Sequence, residues 1–310
     1  MAPRILFMGT PQFAVRVLEA CLEVGQVMAC VTQPDKPKGR GQHSTAPPVK
    51  SFGEAHGIPI LQPMKIRDPT LIERLRQLSP DVCVVAAYGK ILPEAMLGIP
   101  AQGCLNVHAS LLPKFRGASP IQWAIAAGEP TTGVCLMKMD AGLDTGPVLA
   151  CREVPIGPGE THSSLERTLG DMGAELIRQY LPLYVRGACA PAPQPSEGVS
   201  YAPQLKKEDG RLDFTRSAVE LERRIRAFDP WPGAFTTLKG EVLKVHRAEL
   251  AFGHGAPGEV LQVGPRGLEV GCAEGSLLLL EVQPEGKRRM SAGEFLAGHK
   301  LEAGTRPFGG

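Results

Sequence analysis

No run of apolar residues is long enough to cross a bilayer. The longest, around GSLLLLEV, falls far short of the ~20 residues that a membrane helix needs. The start, MAPRILFMGT, is too short and too soon interrupted for a secretory signal. None of the eight cysteines (Cys21, Cys30, Cys83, Cys104, Cys135, Cys151, Cys189 and Cys272) stands in a C-x-x-C pair, which argues against zinc clusters and thioredoxin-like motifs. Most lie in apolar strand-like runs, where a thiol behaves as a small hydrophobe, and this suits a reducing compartment. A soluble, cytoplasmic protein is expected. An excess of charge of one sign is lacking as well: the net charge is +2, so a polyanionic partner must be met by a local basic patch. The turn in FMGTPQFAV is not G-x-G-x-x-G, and there is no P-loop, no nucleophile elbow and no internal repeat across the halves.

What is present is an ordinary globular composition, 43% hydrophobic and 21% charged, spread over 310 residues. That length exceeds what one core usually organises, so two domains are expected. In the first half, buried strand-like runs (RILFM, VMACVT, DVCVVAA, GCLNVH) alternate with helical patterns such as FAVRVLEACLEV and TLIERLRQL. This predicts a mostly parallel, helix-covered α/β sheet. TGVCLMKM and GPVLACREVPI are joined too briefly for a crossover, so one edge should be antiparallel. A long helix follows over SSLERTLGDMGAELIRQYLPLYV. Residues 187–204, GACAPAPQPSEGVSYAPQ, read as an extended linker between residues 1–186 and 205–310. Beyond it one helix precedes many short strand-like runs, the pattern of a small β-barrel or sandwich.

Four places could carry chemistry. In FMGTPQFAV, Gly9-Thr10-Pro11 joins a strand to a helix: either an anion-approach turn or simply a tight βα turn. Residues 33–50, QPDKPKGRGQHSTAPPVK, hold Lys36, Lys38, Arg40 and Lys50 without nearby acids after Asp35, which suits phosphate contacts or a solvated loop. Asn106 and His108 stand at i and i+2 near the exit of a strand, so amide and imidazole share one face at the end where open parallel sheets place ligands. An Asn N–H can hold an oxyanion, and a His can move a proton near neutral pH. In MDAGLDTGPVL, Asp140 or Asp144 could orient that His, or either could simply form a turn; spacing does not choose between them. With no Ser or Cys nucleophile beside these groups, the substrate should supply the nucleophile, as when an amine attacks an activated acyl group.

NVHASLLPKFRGASPIQWAI followed by TGVCLMKMDAGLDTGPVL resembles the formyltransferases that use 10-formyltetrahydrofolate. FMGTPQFAV, VTQPDKPKGRG, VVAAYGKILP, YAPQLKKEDGRLDF and IRAFDPWPGAFT extend the resemblance over nearly the whole chain, toward the branch of the family that acts on methionyl-tRNA. The resemblance implies a Rossmann-like formyltransferase domain followed by an OB-like, tRNA-binding barrel. It implies Asn106, His108 and Asp144 as the catalytic trio, which selects Asp144 over Asp140. Ser110, Leu111, Leu112 and Pro113 match the stretch that lines the folate pocket. Lys36, Lys38 and Arg40 lie on the insertion that contacts tRNA. The expected acceptor is initiator methionyl-tRNA, with the folate as a consumed formyl donor, no metal, and no need for more than a monomer. Rival readings are formyl transfer to a small amine, a non-catalytic RNA binder, and a dehydrogenase; the last lacks both the glycine fingerprint and an acid placed for a ribose.

Overall fold

A computed structural model describes residues 2–38 and 43–309. By internal packing the chain divides into two units. Unit 1 holds Met1–Pro120, Thr131–Pro155 and Glu166–Pro203; unit 2 holds Ile121–Pro130, Ile156–Leu165 and Gln204–Gly310. The stretch 187–203, expected as a linker, belongs to unit 1, and two short segments of the first half belong to unit 2.

In chain order the first half contains β1 (Arg4–Gly9), α1 (Gln12–Val24), β2 (Gln26–Val31), β3 (Lys36–Lys38), β4 (His43–Thr45), α2 (Pro48–Ala55), β5 (Ile60–Leu61), α3 (Pro69–Gln77), β6 (Val82–Ala86), α4 (Glu94–Leu97), β7 (Cys104–His108), α5 (Pro120–Ala127), β8 (Thr131–Lys138), β9 (Val148–Pro155) and α6 (His162–Val185). The sheet of unit 1 runs β5-β2-β1-β6-β7-β8-β9. Its first five strands pair in parallel. β8 and β9 join antiparallel, as their short connection requires. All five residues of β6 are buried, the signature of a strand covered on both faces. Helix ends follow local chemistry: Asp68 caps α3 by accepting from the Thr70 amide, and Pro69 takes the first turn, where no N–H is needed.

Gly9 closes β1 for a packing reason. A β-carbon there would lie 2.7 Å from Ala14 Cβ and 2.9 Å from Ala86 O, so the turn can pass α1 and β6 only as glycine. The geometry is that of a tight βα turn, the plainer of the two sequence expectations for Gly9-Thr10-Pro11. The basic insertion forms a short antiparallel ribbon of β3 and β4.

Cys135 and Cys151 stand directly opposite each other on β8 and β9 and form a disulfide. The sequence treats all eight cysteines alike. Pairing these two depends on a strand register that no Cys spacing encodes. Of the remaining six, five are buried thiols.

Unit 2 contains α7 (Ala218–Phe228), β10 (Ala234–Leu238), β11 (Glu241–Ala251), β12 (Val260–Gly264), β13 (Gly267–Gly271), β14 (Ser276–Pro284), β15 (Met290–Ser291), α8 (Ala292–Gly298) and β16 (Phe308–Gly309). The sheet order is β12-β13-β14-β11-β10-β16. Val260 at one end of the sheet exchanges backbone hydrogen bonds of 2.8 Å with Gly304 and Thr305, just before β16 pairs with β10 at the other. The C-terminal segment thus curls the sheet into an OB-like barrel. Along β10 the buried positions alternate at Ala234, Thr236 and Leu238, the period of a half-covered strand. The core joins Leu221 and Ile225 of α7 to Val245, Leu277, Leu279, Phe295 and Phe308.

Candidate active site

β7 ends in Asn106, Val107 and His108. β8 fixes its register, placing Met137 opposite Asn106 and Cys135 opposite His108. Alternation sends Asn106 and His108 to one face. The His108 side chain is only 6% exposed. Its Nε2 lies 3.0 Å from the carbonyl oxygen of Phe115. A carbonyl only accepts, so Nε2 carries the hydrogen and, in the neutral ring, Nδ1 is the lone pair. That Nδ1 lies 3.7 Å from Asp144 Oδ2. The second carboxylate oxygen, Oδ1, accepts from Asn106 Nδ2 at 3.4 Å. Asp144 therefore reaches both β7 side chains from a separate segment, the loop between β8 and β9.

That loop is held in an uncommon conformation. Asp144 has φ +51° and Phe115, beside His108, has φ +57°. Positive φ is tolerable for Asp but costly for Phe, and such conformations persist only where the surroundings impose them. The Gly117 amide donates to Asp144 Oδ2 at 2.9 Å. Gly117 itself has φ +124°, and a β-carbon there would lie 2.6 Å from Ala202 O, so this donor position admits only glycine. Asp140 does something else. Its Oδ1 accepts from the Gly142 amide at 3.0 Å and from Thr145 Oγ1 at 2.7 Å. Those bonds build the turn that presents Asp144. The geometry separates the two aspartates that spacing leaves tied.

The other expected residues are placed as follows. Ser110 is fully buried, and its hydroxyl donates to Lys114 O at 2.6 Å. Leu111, Leu112 and Pro113 follow as half-buried residues of the same loop. Lys36 is exposed on β3, Lys38 ends the same strand, and Arg40 lies outside the described residues. Lys50 is not an unbalanced cation: its Nζ donates to Asp35 at 2.8 Å, and the bond from Gln62, followed by that from Lys50, holds the Asp35 carboxyl below the usual carboxylate range. In unit 2, several cations that sequence clusters together are paired with acids: Arg216 and Arg224 with Glu220, Arg226 with Glu222, Arg288 with Glu294, and Arg289 with Glu281. Among the described residues no group of three His, Cys, Asp or Glu could hold a metal ion.

Sequence reasoning misses the groups that contact these residues: the Phe115 carbonyl on His108, the Gly117 amide on Asp144, and, in the supposed linker, the side chain of Gln194, whose Nε2 donates to the backbone oxygen of Asp144. Two are backbone atoms, which carry no side-chain signal, and Gln194 is surrounded by Pro, Ala and Ser that read only as linker.

Comparison with known proteins shows the family. Residues 3–181 match the model of the formyl transferase family, and residues 204–300 match that of the formyl transferase C-terminal domain. The methionyl-tRNA formyltransferase of Myxococcus xanthus (strain DK1622) is 62% identical over 99% of this chain and 98% of its own length. The methionyl-tRNA formyltransferase of Geobacter sulfurreducens is 50% identical, covering 98% of this chain and 96% of its own. Among solved structures, HypX from Aquifex aeolicus in complex with tetrahydrofolic acid superposes with a TM-score of 0.67 at 20% identity, covering 98% of this chain and 51% of HypX, a likeness of fold. With both halves of its length matched by formyl transferase models and nearly all of it by such relatives, the chain belongs to the methionyl-tRNA formyltransferase family.

Proposed function

We propose that the chain transfers a formyl group from 10-formyltetrahydrofolate to the free α-amino group of initiator methionyl-tRNA, with Asn106, His108 and Asp144 carrying the chemistry. Formyl transfer to methionyl-tRNA is the activity of its close relatives. The observation that carries the assignment of residues is the convergence of an amide, an imidazole and a carboxylate within 3.4–3.7 Å at the exit of β7.

The amine nitrogen attacks the formyl carbon, and the carbonyl π pair moves onto oxygen. Asn106 has two N–H donors, one engaged with Asp144, and offers the other to that oxyanion. The His108 Nδ1 lone pair takes the proton that the attacking nitrogen sheds. Asp144, 3.7 Å away, then faces an imidazolium and stabilises it. The bond from the formyl carbon to the folate nitrogen breaks, that nitrogen takes up a proton, and tetrahydrofolate leaves. Leu111, Leu112 and Pro113 offer a half-buried apolar edge against which a flat pterin can lie. Tetrahydrofolic acid is the molecule held by HypX, which shares this fold.

For the tRNA, Lys36, Lys38 and Arg40 of the basic insertion contact the acceptor-arm phosphates, and the OB-like unit grips the tRNA. We place the work in residues 1–186 for chemistry and 205–310 for tRNA, in a cytoplasmic monomer. Incubation with 10-formyltetrahydrofolate and charged initiator tRNA tests the proposal. One blocked methionine amino group should appear per tetrahydrofolate released. Formylation of a small amine but not of methionyl-tRNA would overturn it.

A further inference from the structure

The segment that reads as a linker lies across both loops of the site. Val148 and Ala192 exchange backbone hydrogen bonds of 2.7 and 2.8 Å. The Arg116 amide donates to Ser200 O at 2.9 Å, and the Ala202 amide donates to Arg116 O at 2.8 Å. Ser200 Oγ accepts from the Phe115 amide at 2.9 Å. At the centre of these bonds is Gln194. Its Nε2 donates to the backbone oxygens of Asp144 and Gly146, both at 2.8 Å. Its Oε1 accepts from Arg116 Nε at 3.2 Å and Nη2 at 2.7 Å. Carbonyls only accept and guanidinium only donates, so the amide fits in one orientation, with both its hydrogens and both its lone pairs engaged.

The two loops it joins are those that seat the trio. One carries Asp144, whose carboxylate faces Asn106 and His108. The other carries Phe115, whose carbonyl fixes the His108 tautomer. Each has a non-glycine residue at positive φ. Such conformations need bonds from outside the loop to hold them.

We propose that Gln194 is a positioning residue for formyl transfer: it clasps the Asp144 loop to the Phe115–Arg116 loop and so holds carboxylate and imidazole in register. The inference rests on the proposed roles of Asn106, His108 and Asp144. A side chain outside the trio, in a segment that looks like a tether, thereby controls the rate of the chemical step.

The test is a double-mutant cycle on kcat, with both KM values and the thermal midpoint measured beside it. Gln194→Ala should lower kcat at least tenfold while the KM for methionyl-tRNA and for the formyl donor stay within twofold. Gln194→Glu should fall similarly, because a carboxylate keeps the acceptor for Arg116 but turns an oxygen against two carbonyls; it also serves if the alanine variant folds poorly. In an Asp144→Ala background, Gln194→Ala should cost almost nothing further, since the clasp then has no carboxylate to place. Wild-type kcat in both Gln194 variants, or a loss that multiplies fully with that of Asp144→Ala, overturns the proposal. Wild-type kcat in Asp144→Ala alone removes the trio and this inference together. A normal Gln194→Ala beside an impaired Asp144→Ala removes only the inference.

Discussion

In the proposed mechanism Asn106 supplies the oxyanion contact, because its amide can donate to the developing charge but cannot move a proton. Asn106→Ala should lower kcat by about 10²–10³-fold, the usual loss for one such donor. Steady-state kinetics on methionyl-tRNA would check this, with KM for the tRNA little changed. The face shared by Asn106 and His108 was legible, because alternation along a strand is a rule of geometry. The choice of Asp144 over Asp140 came only with the family resemblance, because both are Gly-bracketed acids in one loop. A second residue-scale expectation concerns acid stability. Burial pushes the His162 imidazole below its ordinary value of 6.5, against an opposing pull from Asp229. The folded unit therefore favours neutral His162, and stability falls as pH drops below 6.5 toward the lower folded value. Asp229, held below the ordinary aspartate range chiefly by its bond to His246, adds a further loss at more acidic pH. Urea midpoints against pH should show a shallower decline below pH 6.5 for His162→Gln than for the natural sequence; identical slopes would contradict it.

At the scale of elements, the alternation of apolar runs and helical patterns located the parallel strands, and the short 138–148 connection correctly announced the antiparallel edge. Three elements were not legible. The β3–β4 ribbon is three residues a side and contains Pro37, too short and too irregular for a period to show. The segment 187–203 has no regular pattern; its order comes from hydrogen bonds to the loops of unit 1. The Cys135–Cys151 bond needs the exact pairing of β8 with β9. Closing a loop of 16 residues should stabilise the fold by about 3 kcal/mol in the chain-entropy account. Denaturant titration with and without reductant would show it, and the Cys135→Ser/Cys151→Ser variant should behave as the reduced protein in both conditions. An unchanged midpoint on reduction would contradict a bond that constrains this edge.

For the whole molecule, a net charge of +2 leaves little general attraction for a polyanion. Several arginines of unit 2 are engaged with Glu220, Glu222, Glu281 and Glu294, which tempers the basic clusters that the sequence displays. Lys36 stands exposed on β3 instead. Replacing Lys36, Lys38 and Arg40 together with Gln should raise KM for methionyl-tRNA and flatten its salt dependence, while turnover of a minimal amine acceptor is unchanged. Equal loss on both acceptors would mark the ribbon as structural. The central claim is that one amide, one imidazole and one carboxylate, drawn from two segments, act on a single acyl carbon. The most direct measurement is the single-turnover rate of formyl transfer by His108→Ala at saturating methionyl-tRNA and formyl donor. The rate should fall by orders of magnitude with tRNA affinity retained; a rate equal to that of the natural sequence would contradict the account.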